Sequence, residues 1–269
     1  MLNVPSNMLK NLLFIFKYIR YFFVAKNKHS AQSPFLYEFI TKILYSNDIN
    51  KNCEAIEQLR TELCKMNKKL KITDFGAGSL INNAKKRAIK DIAKNSAKNS
   101  KFGKLLYRIV KFYEPKNIIE LGTSLGISTL YLASANKNSK VYTFEGCKET
   151  MKIAQENFYK MNMKNIDLIL GDFKNTLKQS LTDIKDIDLA FIDGNHQEKP
   201  TIYYFEECLK YANNNTIFIF DDIYWSKGMQ NAWEHIKSNK KVTLTVDLFY
   251  LGIVFVKSEL SKENYTIRF

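Results

Sequence analysis

Along residues 9–116 the apolar positions recur three and four apart, the spacing of a helix face, whereas beyond Pro115 they gather in short runs between polar turns. The first regime is broken at Ser33-Pro34, Ser46-Asn47-Asp48 and Gly76-Ala77-Gly78-Ser79. Ser33-Pro34 reads as a helix start, since proline suits the first turn, and Phe35, Phe39 and Ile43 then share a face. Residues 84–113 read as one amphipathic helix, with Lys86, Lys90, Lys94 and Lys98 on a basic face and Leu105, Leu106, Ile109 and Val110 on an apolar one. In the second regime, residues 117–121, 140–144, 166–170, 187–192 and 216–220 read as strands, and 128–135, 148–161, 199–212 and 227–238 as the helices that join them. Such alternation predicts a parallel sheet covered on both faces. Residues 242–246 and 252–256 follow one another without a helix, so they read as an antiparallel pair. The pattern predicts an α/β fold with a doubly wound, seven-stranded sheet, mostly parallel and closed by an antiparallel strand. Residues 1–104 form a helical extension, and residues 105–269 the sheet domain.

Charge separates the same two parts. Of 41 Lys/Arg and 27 Asp/Glu, 23 and 8 precede residue 119, so that part carries +15 and the remainder −1. The surplus implies either a solvated Lys-rich face or contact with something anionic, such as nucleic acid, a membrane surface or an acidic substrate. Residues 8–25 are strongly apolar, but Lys10, Lys17 and Arg20 interrupt them and no small-residue cleavage site precedes Lys26. They therefore read as an amphipathic helix without a transmembrane span or signal peptide, packed on the protein in preference to a membrane surface. Cys53, Cys64, Cys147 and Cys208 form no C-x-x-C pair, which points to reduced thiols in a cytoplasmic protein.

The strand ends carry the chemistry. In Ile118-Ile119-Glu120-Leu121-Gly122-Thr123-Ser124-Leu125-Gly126 a strand runs through a glycine turn into a helix, which sets backbone N–H groups beside a ligand. The spacing is not the G-x-G-x-x-G of dinucleotide sites, and Glu120 suits a cationic amino group. Glu145 ends the next strand 25 residues later, near the offset at which an acid takes ribose hydroxyls. Gly171-Asp172-Phe173 ends the third, offering a carboxylate and a ring to an adenine.

Together these segments resemble the class I S-adenosylmethionine-dependent methyltransferases, a Rossmann-like family, over residues 105–257. The resemblance implies S-adenosylmethionine as cofactor. Glu120, Gly122, Thr123, Ser124 and Gly126 would surround its methionine part, Glu145 its ribose, and Gly171, Asp172 and Phe173 its adenine. At the next two strand ends, Asp193-Gly194-Asn195-His196 and Asp221-Asp222-Ile223-Tyr224 are similar to the catechol and caffeoyl-coenzyme-A O-methyltransferases. That similarity implies a metal site at Asp193, Asp221 and Asp222 for Mg²⁺ or Ca²⁺, hard ions that prefer oxygen. Asp222 stands where the group has Asn, and His196 where it has a catalytic Lys. His196 and Asp193 are the catalytic candidates, either as a base with its partner or beside a metal. Helix capping is the structural alternative for Asp221-Asp222.

The expected activity is O-methylation of a small-molecule hydroxyl. An RNA- or ribosome-directed methyltransferase and a non-catalytic nucleoside-binding module are the alternatives. His29 is expected near substrate in a lid formed by residues 29–35. Asp74-Phe75-Gly76 resembles a kinase triplet without its companions and reads as a loop.

Overall fold

The computed structural model describes residues 6–27, 33–46, 51–73, 86–95 and 99–269. His29 and the Asp74–Ser79 motifs lie outside them. The N-terminal part contains α1 (Ser6–Val24), α2 (Pro34–Glu38) continuing into a π turn (Phe39–Leu44), and α3 (Lys51–Leu63). A two-stranded antiparallel pair follows, β1 (Lys69–Lys71) with β2 (Lys86–Ala88), then α4 (Ile89–Asn95) and α5 (Ser100–Tyr113). Ser33 caps α2 as expected, its hydroxyl accepting from Leu36 N at 3.1 Å.

Two expectations for this part are corrected. Residues 69–71 and 86–88 are strands, where the whole region reads as helical. Among the described residues of the span 84–113 there are a strand and two helices, not one helix. Asn99 starts a new helix by accepting from Lys101 N and Phe102 N at 3.1 and 3.3 Å. A side-chain cap there overrides a helical period that looks continuous.

The remainder alternates β3 (Asn117–Leu121), α6 (Ile127–Ala135), β4 (Lys140–Glu145), α7 (Lys148–Lys160), β5 (Ile166–Leu170), α8 (Phe173–Ile184), β6 (Ile187–Ile192), α9 (Glu198–Leu209), β7 (Ala212–Asp221) and α10 (Lys227–Ser238). It ends with β8 (Leu244–Asp247), β9 (Leu251–Phe255) and β10 (Glu263–Thr266). The sheet has eight strands in the order β10-β8-β9-β7-β6-β3-β4-β5, one more than expected. The addition is β10, whose Glu-Asn-Tyr-Thr sequence has no apolar run to announce it and which pairs parallel to β8. Only β9 runs against its neighbours.

Period-two alternation sorts the strand residues between two cores. Ile118, Leu189, Phe191, Ile217 and Ile219 meet α2 and α5 on one face. Ile119, Ala190, Ile192, Phe218 and Phe220 meet α8, α9 and α10 on the other. The N-terminal helices share these cores: Phe39 and Ile43 join the first, and α3 packs Ile56, Leu59 and Leu63 with Tyr107, Ile127 and Leu130. Arg108 of α5 ties them further, since its buried guanidinium donates to Ile43 O at 2.6 Å and Leu44 O at 3.2 Å. Hydrogen bonds from a charged group to otherwise orphaned carbonyls contribute about 1.5–3 kcal/mol each. The expected boundary at residue 105 falls inside α5.

β3 and β6 are neighbours from which the chain proceeds outward in opposite directions, through β4 and β5 on one side and β7 on the other. Ligands of open α/β sheets bind at the carboxyl ends of strands flanking such a switch point.

Candidate active site

The turn after β3 is built for close approach. Gly122 has φ +110°, and a Cβ there would stand 2.1 Å from the carbonyl oxygen of Asp193, at the end of β6. Gly122 N and Thr123 N both donate to Phe144 O, at 3.0 and 3.1 Å, and Asp193 N donates to Leu121 O at 2.9 Å. Helix α6 then begins at Gly126, φ +84°, with no side chain capping it. Its first N–H groups and the positive helix end are thus left to a ligand.

Glu120 lies beneath this turn, 0 % exposed. Its Oε2 accepts from Thr143 Oγ1 at 2.6 Å and from Thr129 Oγ1, while Oε1 makes no well-formed hydrogen bond. Burial pushes the carboxyl up to about 7, against the hydroxyls of Ser128, Thr129 and Thr143, which favour the charged form. The folded chain therefore holds a proton that the unfolded chain releases near 4.5, and stability falls as pH rises between those values. A shift of this size corresponds to roughly 3 kcal/mol. Urea unfolding at pH 5 and pH 8 is expected to show Glu120→Gln losing less stability than the parent across this window; parallel losses would remove the buried charge as their cause.

Glu145 reaches back to the same turn. Its Oε2 accepts from Ser124 N at 2.7 Å and its Oε1 from Cys147 N at 2.8 Å. Burial raises its pKa and the two N–H groups oppose that rise. At the next strand end Gly171 has φ +148°, and Asp172 caps α8 by accepting from Lys174 N at 3.0 Å. The Phe173 ring crosses towards β6, where it lies against Gly194 and edge-on to Tyr204 at 5.8 Å. Glu120, Thr123, Ser124 and Glu145 thus form one hydrogen-bonded unit with Thr143, with the Asp172-Phe173 pair at its rim.

Beyond β6, Asn195 and His196 take left-handed φ values of +69° and +43° in succession. Non-glycine residues in that region carry strain that the surroundings must hold. Asn195 Nδ2 donates to Tyr204 OH at 3.3 Å, which helps to fix the loop. The bend brings His196 Nε2 to 3.6 Å from Asp193 Oδ1, both side chains being largely but not fully covered. Asp221, buried at the end of β7, completes a group in which one ligand atom from each of Asp193, His196 and Asp221 lies within 4.8 Å of the others.

Of the residues anticipated for a metal, Asp193 and Asp221 belong to this group together with His196, and Asp222 is not among its members. Asp222 follows Asp221 directly, has φ +54°, and its N–H is turned to Tyr250 O at 2.7 Å. Neither residue caps α10; Ser226 does, accepting from Met229 N at 3.1 Å. Sequence reasoning passed over Thr129, Thr143 and Tyr204. A Thr in the middle of an otherwise buried strand was the available signal for Thr143, because a buried hydroxyl needs a partner.

Beside Asp222, Tyr250 meets α1 through Phe14 at 6.1 Å and Tyr18 at 6.4 Å. Phe249, fully buried at φ +68°, stacks on Tyr224 at 4.9 Å, and Tyr224 OH donates to Asp247 Oδ2 at 2.7 Å. This aromatic cluster borders the acidic end of the crevice.

A doubly wound sheet with one reversed strand near its edge, a glycine turn after its central strand and acids at successive strand ends is the arrangement that the resemblance to the class I methyltransferases implies. Residues 119–223 match the family model described as a methyltransferase domain. The chain is 28% identical over 124 residues to a catechol O-methyltransferase of Niastella koreensis, which covers 45% of this chain and 55% of that protein. It thus spans about half the length of that curated relative. Among solved structures it is similar to an SAH-bound methyltransferase from Podospora anserina, with TM-score 0.58 at 15% identity over 84% of this chain and 97% of that one. It is also similar to the O-methyltransferase TomG from Streptomyces achromogenes in complex with SAM, with TM-score 0.56 at 16% identity, covering 83% and 95% of the two chains. An O-methyltransferase from Bacillus cereus in complex with SAH gives TM-score 0.53 at 19% identity over 81% and 96%.

Proposed function

We propose that this protein transfers the methyl group of S-adenosylmethionine to a hydroxyl oxygen of a small molecule. The observation that carries the reading is the crevice between β3 and β6, where the Gly122 turn touches Asp193 and the Asp193–His196–Asp221 group stands beside it. The turn fits the cofactor in two respects. The uncapped start of α6 suits a carboxylate, and the buried Glu120 Oε1 without a formed hydrogen bond suits an ammonium. In this reading Glu145 would take the ribose, and Asp172 with Phe173 the adenine. The relative from Niastella koreensis, a catechol O-methyltransferase, supports an oxygen acceptor.

S-adenosylmethionine supplies, when bound, an electrophilic methyl on a sulfonium. The chain's part is to align the acceptor with it, exclude water and remove the hydroxyl proton. His196 takes that proton on Nδ1, the ring nitrogen not turned to Asp193, and the Asp193 carboxylate beside Nε2 stabilises the imidazolium that results.

A second reading of the same group is favoured by its compactness: Asp193, His196 and Asp221 would hold a divalent cation, which lowers the pKa of a bound hydroxyl. Two carboxylates and an imidazole fit Mg²⁺ or Mn²⁺, and the nitrogen extends the set to Zn²⁺. Ca²⁺ fits less well, since it prefers six or more oxygens.

Calorimetric titration with S-adenosylhomocysteine, with and without Mg²⁺ or Mn²⁺, tests both. Saturable binding is expected, and its absence would end the cofactor assignment. Turnover of a catechol acceptor that survives exhaustive chelation leaves His196 as the base, whereas turnover restored by added metal assigns the group to the cation.

A further inference from the structure

Helix α1 has two opposed faces. On one, Phe14, Tyr18 and Tyr21 close around Phe249 with ring centroids 5.0–5.3 Å away. Tyr21 OH donates to Ile267 O at 2.5 Å, and Lys17 Nζ to Tyr224 O at 3.4 Å. The opposite face is an apolar ridge: Leu12, Phe16, Ile19 and Phe23 follow the i, i+4, i+7, i+11 spacing, and they are 52%, 66%, 46% and 80% exposed. Core residues are normally covered, so a contiguous exposed ridge of this size marks an interaction surface.

The ridge is held rigidly. Past the helix end, Lys26 N donates to Thr266 O at 2.8 Å, Arg268 N to Lys26 O at 2.9 Å, and Arg268 Nη2 to Phe22 O at 2.7 Å. The ordering of the helix is therefore met by folding and need not be met again on docking.

Charge selects the occupant. The first 37 residues contain five Lys/Arg and no Asp or Glu, and Arg20 and Lys26 are exposed beside the ridge. A second copy of the chain would bring the same positive charge to the contact. An anionic lipid surface complements it, and polybasic segments near apolar side chains recognise such surfaces. Among the described residues no helix is long and apolar enough to cross a membrane, so the fitting mode is in-plane.

We propose that α1 seats this protein on anionic lipid surfaces, with Leu12, Phe16, Ile19 and Phe23 entering the boundary between headgroups and acyl chains and the neighbouring cations meeting lipid phosphates. The test is co-sedimentation of the full chain with vesicles of phosphatidylcholine alone and with about a third phosphatidylglycerol. Binding is expected only with the anionic lipid, weakening as salt is raised. The double variant Phe16→Ser/Phe23→Ser is expected to lower the partition coefficient at least about tenfold. Because both rings are exposed, its melting temperature is expected to match the parent. Arg20→Glu, which leaves the ridge intact, is expected to weaken anionic binding without changing the fold. Equal binding to both vesicle types, or equal binding by parent and double variant, overturns the proposal. So does a dimer in vesicle-free sedimentation velocity that the double variant dissolves, for it assigns the ridge to a second copy.

Discussion

Alanine at position 196 is expected to slow methyl transfer to a hydroxyl acceptor by about 10²–10⁴-fold, the usual contribution of a positioned base. The imidazole lies 3.6 Å from Asp193 Oδ1 on a loop whose left-handed residues aim it into the crevice. The Gly122 turn is set by the N–H groups of Gly122, Thr123 and Asp193 on Phe144 O and Leu121 O, so S-adenosylhomocysteine affinity is expected to stay within about threefold of the parent. Asp193→Asn keeps the shape and removes the charge, so it too is expected to lower kcat. A double variant should be little worse than His196→Ala alone, since two residues acting as one unit are non-additive. Stopped turnover with intact cofactor binding is the pattern that supports a role at the acceptor. An unchanged kcat in His196→Ala would remove the residue from the reaction, and fully additive losses would separate it from Asp193.

Much of this arrangement was legible before any coordinates. Strands β3, β4, β6 and β7 are legible because buried parallel strands are rich in apolar runs, and the acids Glu120, Glu145, Asp193 and Asp221 because each stands at or near the end of such a run. What escaped was decided by contacts distant in sequence. β10 holds a single buried residue, Tyr265, and exists because β8 offers it an edge. His196 is legible as a partner of Asp193, but that Asp222 lies outside their group is not, because its φ of +54° is one that no composition rule assigns to Asp. The ridge on α1 escaped for a similar reason. An amphipathic stripe reads as packed on the protein, and only the packed position of Phe249 shows which side is covered and which is left outward.

Glu120 shows how stability and function part company at this site. A wholly buried carboxyl whose pKa is raised to about 7 destabilises the folded chain at neutral pH, and an uncharged isostere would cost less. Its presence beneath the glycine turn is intelligible if, as proposed, the carboxylate meets a cation there. Thr129 and Thr143 then keep one oxygen satisfied while the other awaits the ligand.

The second large effect is expected at Gly122. Gly122→Ala would place a methyl group 2.1 Å from Asp193 O on a backbone at φ +110°, so both the space and the conformation oppose it. Asp193 cannot retreat, because its N–H is bonded to Leu121 O at 2.9 Å. Nor can the glycine, whose own N–H is bonded to Phe144 O at 3.0 Å. Relief requires β3 and β6 to separate at the crevice, and a loss of about 4 kcal/mol or more is expected. For a chain of this size that corresponds to a fall in Tm of roughly 10 °C. S-adenosylhomocysteine binding is expected to vanish with it, since the turn and the neighbouring strand end move together. Gly194→Ala provides the comparison: its new methyl group stands 3.3 Å from Leu121 O, close but tolerable, and its hard clash is with the edge of the Phe173 ring at 2.5 Å, which can turn where the Asp193 carbonyl cannot. Its expected cost is about 1 kcal/mol, with weakened binding from the displaced ring. If the two variants melted and bound alike, the turn would not be the closely packed junction described here, and the crevice would need another floor.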